Sequence, residues 1–175
     1  MSQLIVLSAI GSDRTGVVQD ITEVILNCDG NIEESRMTTL GAEFAVLMLV
    51  SGNWATLSKL ETSLDKLTSD SLSISIRKTD ARPVRDDCMP YAVDVVSLDQ
   101  QGIVFNLADF FASRGIEIAD VATRSYAAAH TGAPMFSVQM AVNVPSSEPI
   151  SQLRDDFMEI CDRLNLDALL EPVKT

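Results

Sequence analysis

The chain has 175 residues, of which 46% are hydrophobic and 22% charged, a composition that supports a packed core and excludes wholesale disorder. The formal net charge is −12 at pH 7, which argues against a protein that binds nucleic acid by itself, because phosphate binding needs a basic surface. The longest apolar run, residues 44–50, is far shorter than the roughly 20 residues of a membrane-spanning helix. We expect contact with neither nucleic acid nor membrane.

The start of the chain, MSQLIVLSAIGSD, carries no basic leader, and its apolar run is too short for a secretory signal. We therefore expect a cytoplasmic protein that opens with a strand. Cys28, Cys88 and Cys161 are far apart and His130 is the single histidine, which excludes a disulfide scaffold and a standard zinc site. We expect free thiols, no metal and no cofactor.

The first half of the chain alternates between strand and helix patterns. An apolar strand covers residues 4–10, and a polar turn leads to a helix with an apolar stripe over residues 17–28. A second strand opens at residue 31, and an extended run follows over residues 43–52. Leucines at positions 57, 60, 64 and 67 predict a second helix, and apolar residues alternating with serines over 72–76 predict a last strand.

A shift of 86 residues lays this pattern on the second half, so that Asp13 meets Asp99, Gly16 meets Gly102 and Ile32 meets Ile118. A last apolar stripe, over residues 150–164, repeats the second helix. The pattern predicts an α+β fold of two tandem ferredoxin-like βαββαβ domains, each an antiparallel sheet with two helices on one face. We expect domains at residues 1–79 and 91–175, joined by a charged, proline-containing linker at 80–90.

The turn after the first strand, Asp13-Arg14-Thr15-Gly16, has residue types that suit a small ligand. Asp13 or Thr15 can cap the helix, Gly16 lets a ligand approach the backbone, and Arg14 can hold a carboxylate through two hydrogen bonds. Asn31 opens the second strand, which we expect to run beside the first and to bring its amide near the turn. These five residues form a candidate amino-acid site, although the same residues also suit a turn that binds nothing.

The second half keeps the aspartate and the glycine of this turn but has Gln100 and Gln101 between them, and Glu117 where Asn31 stands. If the turn is a site, the two halves are not equivalent, and the second half is a scaffold or binds something different. The sequence has no P-loop, G-x-S-x-G or G-x-G-x-x-G motif, and the Glu33-Glu34 pair is typical of a solvated face. We expect that the protein is not an enzyme.

The order strand, DRxG turn, helix and NI resembles the ACT domain, a regulatory module that binds small molecules, here present twice. The stretches NIEESRMTTLGAEFAVLMLVSGNW (31–54) and TDARP…MP (79–90) resemble the glycine cleavage system transcriptional repressor family. Thr15 stands where the common form of the motif, D-R-P-G, has proline, so the turn is expected to be looser.

The resemblance implies a repressor without a DNA-binding domain of its own, which contacts a LysR-type activator of the glycine cleavage operon and is relieved by glycine. ACT domains pair side by side into a continuous sheet, so it also implies a homo-oligomer with an amino acid bound at Asp13, Arg14, Thr15, Gly16 and Asn31. The alternative is a protein-interaction module that needs no ligand. An Arg14 that faces solvent with no cavity beside it would count against sensing.

Overall fold

Both halves of the chain fold into the order βαββαβ, in a computed structural model that describes residues 3–83 and 87–173. The chain divides into two units, residues 1–83 and 84–175. The elements of the first unit are β1 (Gln3–Ser12), α1 (Val17–Asn27), β2 (Asn31–Leu40), β3 (Glu43–Gly52), α2 (Trp54–Leu67) and β4 (Leu72–Thr79). Those of the second unit are β5 (Cys88–Leu98), α3 (Ile103–Ala112), β6 (Glu117–Ala127), β7 (Pro134–Pro145), α4 (Ile150–Arg163) and β8 (Asp167–Pro172).

Each unit has one four-stranded antiparallel sheet, with strand order β2-β3-β1-β4 in the first and β6-β7-β5-β8 in the second. The α+β ferredoxin-like fold expected from the internal repeat is confirmed. β2 and β4 are the edges of the first sheet, and β6 and β8 are the edges of the second.

The core of the first unit lies between one face of its sheet and its two helices. Every second residue of β1, from Ile5 to Ala9, is fully buried, and so are Leu60 and Leu64 on α2. Burying a leucine or isoleucine side chain stabilises a fold by roughly 1.5–3 kcal/mol. The contacts between these buried side chains therefore hold the helices on one face of the sheet. Asn53 fixes the start of α2, because its side-chain oxygen accepts a hydrogen bond of 2.9 Å from the Thr56 amide.

The second unit has the same layers with an aromatic core. The rings of Phe110, Phe111 and Phe157 pack with centroids 5.1–5.7 Å apart between α3 and α4. Arg114 covers this cluster, with its guanidinium 4.0 Å from the Phe110 ring and 2.8 Å from the Asp156 carboxylate. The arginine therefore joins the two helices at their surface.

The two units also share irregular features. A β-bulge interrupts β2 between Ile32 and Glu34, and another interrupts β6 between Ile118 and Asp120, the same places in the repeat. The units differ in the hairpin that follows, which has two residues between β2 and β3 and six, 128–133, between β6 and β7. That longer hairpin contains the single histidine, His130, which is exposed.

The segment expected to be a linker is partly strand, since β5 begins at Cys88. Residues 84–86 of that segment lie outside the described residues. Across the part of the chain that the structure describes, no helix has the length and apolar character to cross a membrane. The three cysteines are free thiols, and Cys28 and Cys161 are buried.

Candidate functional site

The turn Asp13–Gly16, called the first corner below, leaves the end of β1 and enters α1. Two backbone hydrogen bonds fix its start: the Ser12 amide donates to the Ser71 carbonyl and the Asp13 amide to the Ala42 carbonyl, both at 3.0 Å. Gly16 is the N-cap residue, with φ at +92°, and no side chain caps the helix. The expectation that Asp13 or Thr15 caps α1 is therefore wrong. Glycine is needed here because other residues rarely adopt that φ.

The uncapped helix start leaves hydrogen-bond donors free. The Val17 amide reaches the Arg14 carbonyl at 3.3 Å, but we find no acceptor among the described residues for the amides of Gly16, Val18 and Gln19. Free amides and the positive end of the helix dipole together favour a carboxylate or a phosphate. A Cβ built on Gly16 would have only the Arg14 guanidinium nearby, at 3.9 Å, so the space beside Gly16 itself is open.

Arg14 is half-exposed and already has a partner. Its Nη2 donates to the Asp20 carboxylate at 2.5 Å, which folds the guanidinium back over the first turn of α1. An arginine has five N–H donors, so one carboxylate does not exhaust the group. Arg14 thus keeps donors that could bind a carboxylate, and Asp20 competes for them.

Asn31 does not lie beside the first corner, and the expectation that β2 runs next to β1 is wrong. β3 lies between the two strands, and Asn31 pairs with Ser51, which in turn pairs with Leu4 at the start of β1. The first corner follows Ser12, eight residues further along β1, so about 27 Å of strand separates it from Asn31 at ~3.4 Å per residue. A single unit places the five predicted residues at opposite ends of one sheet.

Asn31 belongs instead to a small polar group, called the acceptor cluster below, that includes Glu33 and Ser51. Asn31 Nδ2 donates to Glu33 Oε1 at 2.9 Å, and the Ser51 hydroxyl donates to the same oxygen at 2.5 Å. These two hydrogen bonds lower the pKa of Glu33, which is therefore ionised at neutral pH. Sequence reasoning treated Glu33 only as part of a solvated face, because the bulge that turns its side chain toward Asn31 is not visible in the residue pattern.

The second unit repeats the backbone of the first corner with different contacts. Gly102 has φ at +88° and caps α3 without a side-chain hydrogen bond, as Gly16 does for α1. Gln100, in the place of Arg14, donates through Nε2 to the Leu164 carbonyl at 2.9 Å, and Asp99 accepts from the Ser125 hydroxyl at 3.2 Å. The side chains at this second corner therefore bind their own unit.

The edge strand β2 is unusually accessible. All of its residues except Ser35 are exposed, including Met37 at 47% and Leu40 at 70%. β2 pairs with β3 alone among the described strands, so its outer backbone groups can accept another strand. Exposed apolar side chains on an open edge are typical of an interaction surface.

Four depressions on the surface of the described residues lie away from the first corner. Surface depressions lie on the open faces of the two sheets, at the start of β1 beside the end of β4, and along α1, and none of these four is lined by Asp13–Gly16. Nor do the described His, Cys, Asp and Glu side chains form a group of three that could hold a metal ion.

Comparison with known proteins identifies the family to which this chain belongs. Residues 3–77 match the sequence model of the ACT domain. The UPF0237 protein MMP0657 of Methanococcus maripaludis is 32% identical over 68 residues, which cover 38% of this chain and 76% of that protein. The chain belongs to the ACT domain family, and its second unit repeats the fold of the first.

Two longer similarities cover nearly the whole chain. The glycine cleavage system transcriptional repressor of Escherichia coli (strain K12) is 29% identical over 170 residues, 97% of this chain and 90% of that protein. The crystal structure of an unknown protein from Galdieria sulphuraria is 29% identical and has a TM-score of 0.81, covering 99% of this chain and all of that one. The chain is thus a tandem ACT-domain protein that resembles the glycine cleavage system repressors along both domains.

Proposed function

We propose that this protein is an ACT-domain transcriptional regulator that binds a small amino acid, glycine in the first instance. We propose further that it represses the glycine cleavage operon by contacting a LysR-type activator. The similarity to a named repressor over both domains supports the regulatory part. The open donors of the first corner support a ligand of this class, because a carboxylate is one of the anions that such a corner accepts.

The observation that carries the ligand site is the position of Asn31 on the open edge of the sheet. β1 and β2 are parallel, so Asn31 lies level with the start of β1, whereas the first corner lies level with the end of β2. If the β2 strands of two ACT domains pair antiparallel, the start of one strand meets the end of the other. Asn31 of one domain then comes to the end of the sheet that holds the first corner of its neighbour.

Such pairing also accounts for the exposure of β2. It would bury Met37 and Leu40 and satisfy the free edge of the strand. About 14 Å of sheet, three strand spacings, would separate β1 of one domain from β2 of the other, so Arg14 would have to leave Asp20 to reach a ligand in that gap. The expected homo-oligomer therefore completes the site, and an isolated unit binds weakly or not at all.

The size of glycine limits its affinity. With ~5 non-hydrogen atoms and a ceiling of roughly −1.5 kcal/mol per atom, binding cannot exceed about −7.5 kcal/mol. This corresponds to micromolar affinity at best, which suits a sensor of metabolite concentration. Titrations should therefore extend to millimolar glycine.

A thermal-shift series tests the proposed site. Glycine should stabilise the wild type, and Arg14→Ala and Asn31→Ala should abolish that stabilisation. The melting temperature without ligand should barely move, because the Arg14–Asp20 pair is exposed and such pairs contribute about 0–1 kcal/mol. Arg77→Ala, an exposed arginine on the other edge of the same sheet, is the matched control and should keep the glycine response. A wild type that millimolar glycine does not stabilise would contradict sensing.

A second function, a ligand-independent interaction module, is favoured by two observations. Arg14 is engaged by Asp20, and none of the depressions found is lined by the first corner. In that case the exposed β2 edge would serve only for assembly or partner contact. Binding to the LysR-type activator that is equally strong with and without glycine would support this module, whereas weaker binding with glycine would support the sensor.

A further inference from the structure

The face of the first sheet that its helices leave uncovered, called the open face below, is apolar along its two inner strands. It consists of the residues that alternate with the buried positions of β1 and β3. The apolar ones are Leu4, Val6, Ile10, Ala45, Leu47 and Leu49. Ile10 is 58% exposed and Leu47 is 53% exposed. Because the outward positions of a half-buried antiparallel sheet are ordinarily polar, this apolar block indicates an interaction surface.

The open face carries opposite charges at its two edges. In one row across the sheet, Glu34 of β2 pairs with Leu49. Leu49 pairs with Val6, and Val6 pairs with Arg77 of β4. The row therefore runs from a carboxylate over two apolar side chains to a guanidinium, and both charged residues are exposed. Three strand spacings, about 14 Å, separate the two charged residues within one sheet, so they do not pair with each other.

Such a row is complementary to itself. A two-fold axis that runs along the strands, between β1 and β3, lays the open face of one copy on that of another with β2 over β4. Glu34 then faces Arg77 of the other copy, and Leu49 faces Val6. Packed sheets lie ~10 Å apart with their strands aligned, a distance that a glutamate and an arginine side chain span together. Arg36, 3.0 Å from Glu34, does not exhaust that carboxylate, because its two oxygens accept several hydrogen bonds.

The open face is also large enough, and close enough to neutral, for contact between two copies. Four strands at ~4.8 Å and eight residues at ~3.4 Å give about 500 Å² per copy, or about 1,000 Å² for two, the size at which specific interfaces begin. Charge repulsion opposes contact between copies elsewhere, because the chain has a formal net charge of −12. On the open face, two guanidiniums offset most of the charge of three carboxylates: Arg36, Arg77, Glu33, Glu34 and Glu43.

The second sheet has the same strand order but a different open side. Asp94 stands at its centre in the place of Ser8, and Gln139 stands opposite in the place of Leu47. The Gln139 amide donates to the Asp94 carboxylate at 3.2 Å, so this centre is polar and charged. Four more carboxylates and one guanidinium lie on the same side of the described strands: Glu117, Asp120, Asp167, Glu171 and Arg124. The comparison places the apolar contact surface on the first unit.

We propose that the open face of the first sheet binds the same face of a second copy of this chain, related by a two-fold axis along the strands. The proposal goes beyond the function proposed above, because it involves no ligand and a different surface. Val6 and Leu47 lie on inner strands, which edge-to-edge pairing of β2 does not bring into contact. Contact between the two faces buries Leu47 and Ile10 and pairs each Glu34 with an Arg77.

Analytical ultracentrifugation of the full-length protein, in a concentration series without glycine, tests the apolar centre. The wild type should self-associate. Leu47→Asp should raise the dissociation constant roughly tenfold or more, because a carboxylate would be buried against apolar side chains. Leu47 is exposed, so the variant should keep the circular dichroism spectrum of the wild type. Leu169→Asp is the matched control: Leu169 is 60% exposed on the open side of the second sheet, and its replacement should leave the association unchanged.

An exchange of charges tests the two-fold relation. Glu34→Arg and Arg77→Glu should each weaken self-association severalfold, because like charges then face each other across the contact. The double variant should return the dissociation constant to the wild-type value. Since about 14 Å separates the two positions within one sheet, this rescue can arise only between copies.

The outcomes separate this contact from other surfaces. Weaker association of Leu47→Asp, together with rescue by the double charge variant, supports the proposal. Association of Leu47→Asp as strong as that of the wild type overturns it and leaves the β2 edge as the surface between copies. A double variant without rescue overturns the two-fold arrangement. A wild type that is monomeric at high micromolar concentration overturns the proposal and leaves the open face to a partner of another sequence. The glycine response in the thermal-shift series is a separate result, because Leu47 lies outside the proposed ligand site.

Discussion

Three glycines of the first unit, Gly11, Gly30 and Gly52, do not have a positive φ. Of the three replacements by alanine, that of Gly11 should destabilise the unit most, because backbone atoms occupy the space that the new methyl group needs. Gly11 is buried on β1, one residue before the strand ends. A Cβ built there would lie 2.2 Å from the Ser71 carbonyl oxygen and 2.8 Å from the Leu72 Cα. Neither atom is the end of a flexible side chain, so the start of β4 has to move away from β1.

The magnitude follows from two effects. Overpacking of a tight site costs about 1–3 kcal/mol. Moving Ser71 also weakens the 3.0 Å hydrogen bond that its carbonyl accepts from the Ser12 amide, a loss of about 0.5–1.5 kcal/mol. Gly11→Ala should therefore lower the free energy of unfolding of the first unit by about 2–4 kcal/mol, and the first corner, which follows Ser12 directly, should loosen with it.

Urea denaturation followed by circular dichroism gives the total loss, and hydrogen exchange shows which unit opens. The matched control is Ser97→Ala, because Ser97 occupies the same place in the repeat and the second unit already accommodates a buried side chain there. Ser97→Ala should change the free energy of unfolding by less than about 1 kcal/mol, because it removes one hydrogen bond and adds no atoms. A Gly11→Ala protein within 0.5 kcal/mol of the wild type would refute the argument from close approach.

Two further predictions concern the second unit. Arg114→Ala should raise the pKa of Asp156, because hydrogen bonds from Arg114 and Gln152 now hold that pKa below its ordinary value of 3.8; a carboxyl titration by NMR measures the change. In the wild type, the ionised Asp156 carboxylate stabilises the fold above pH ~4, and this stabilisation is lost as the pH falls through the lowered pKa. The stability of Arg114→Ala should therefore depend less on pH in the acid range. Burial raises the pKa of Cys161 to about 11, so iodoacetamide at pH 8 should label Cys88 well before Cys161, and equal labelling of the folded protein would contradict this.

The fold could be predicted because its determinants are local and repeated. Alternating burial along β1 and the leucine stripe of α2 follow directly from the apolar periodicity, and the 86-residue shift requires that both halves share one topology. The start of β5 at Cys88 was less predictable. A short polar segment with prolines suits a linker as well as the beginning of an inner strand of a sheet. Only pairing with β7 decides that these residues are extended.

The candidate site was harder to predict, since it depends on strand order and not on residue type. The types at the first corner suggested a ligand, but the distance between Asn31 and that corner depends on β3 lying between β1 and β2. The cap of α1 was also predicted wrongly: the helix begins at Gly16 with its positive φ, and neither Asp13 nor Thr15 caps it. Glu33 was missed because a bulge shifts the register by one residue, and no pattern of apolar positions reports that shift.

The comparison of the two corners indicates how a duplicated fold becomes unequal. Both keep the backbone that makes free amides, since Gly16 and Gly102 have nearly the same φ. The difference lies in the side chains. Arg14 is paired with the exposed carboxylate of Asp20, from which it can separate, whereas Gln100 donates to the Leu164 carbonyl at the C-terminus of α4. A backbone corner alone attracts any anion weakly, so the selectivity for an amino acid that we propose would have to come from these side chains. For this reason we propose that recognition belongs to the first domain and expect the second to contribute structure and contact surface.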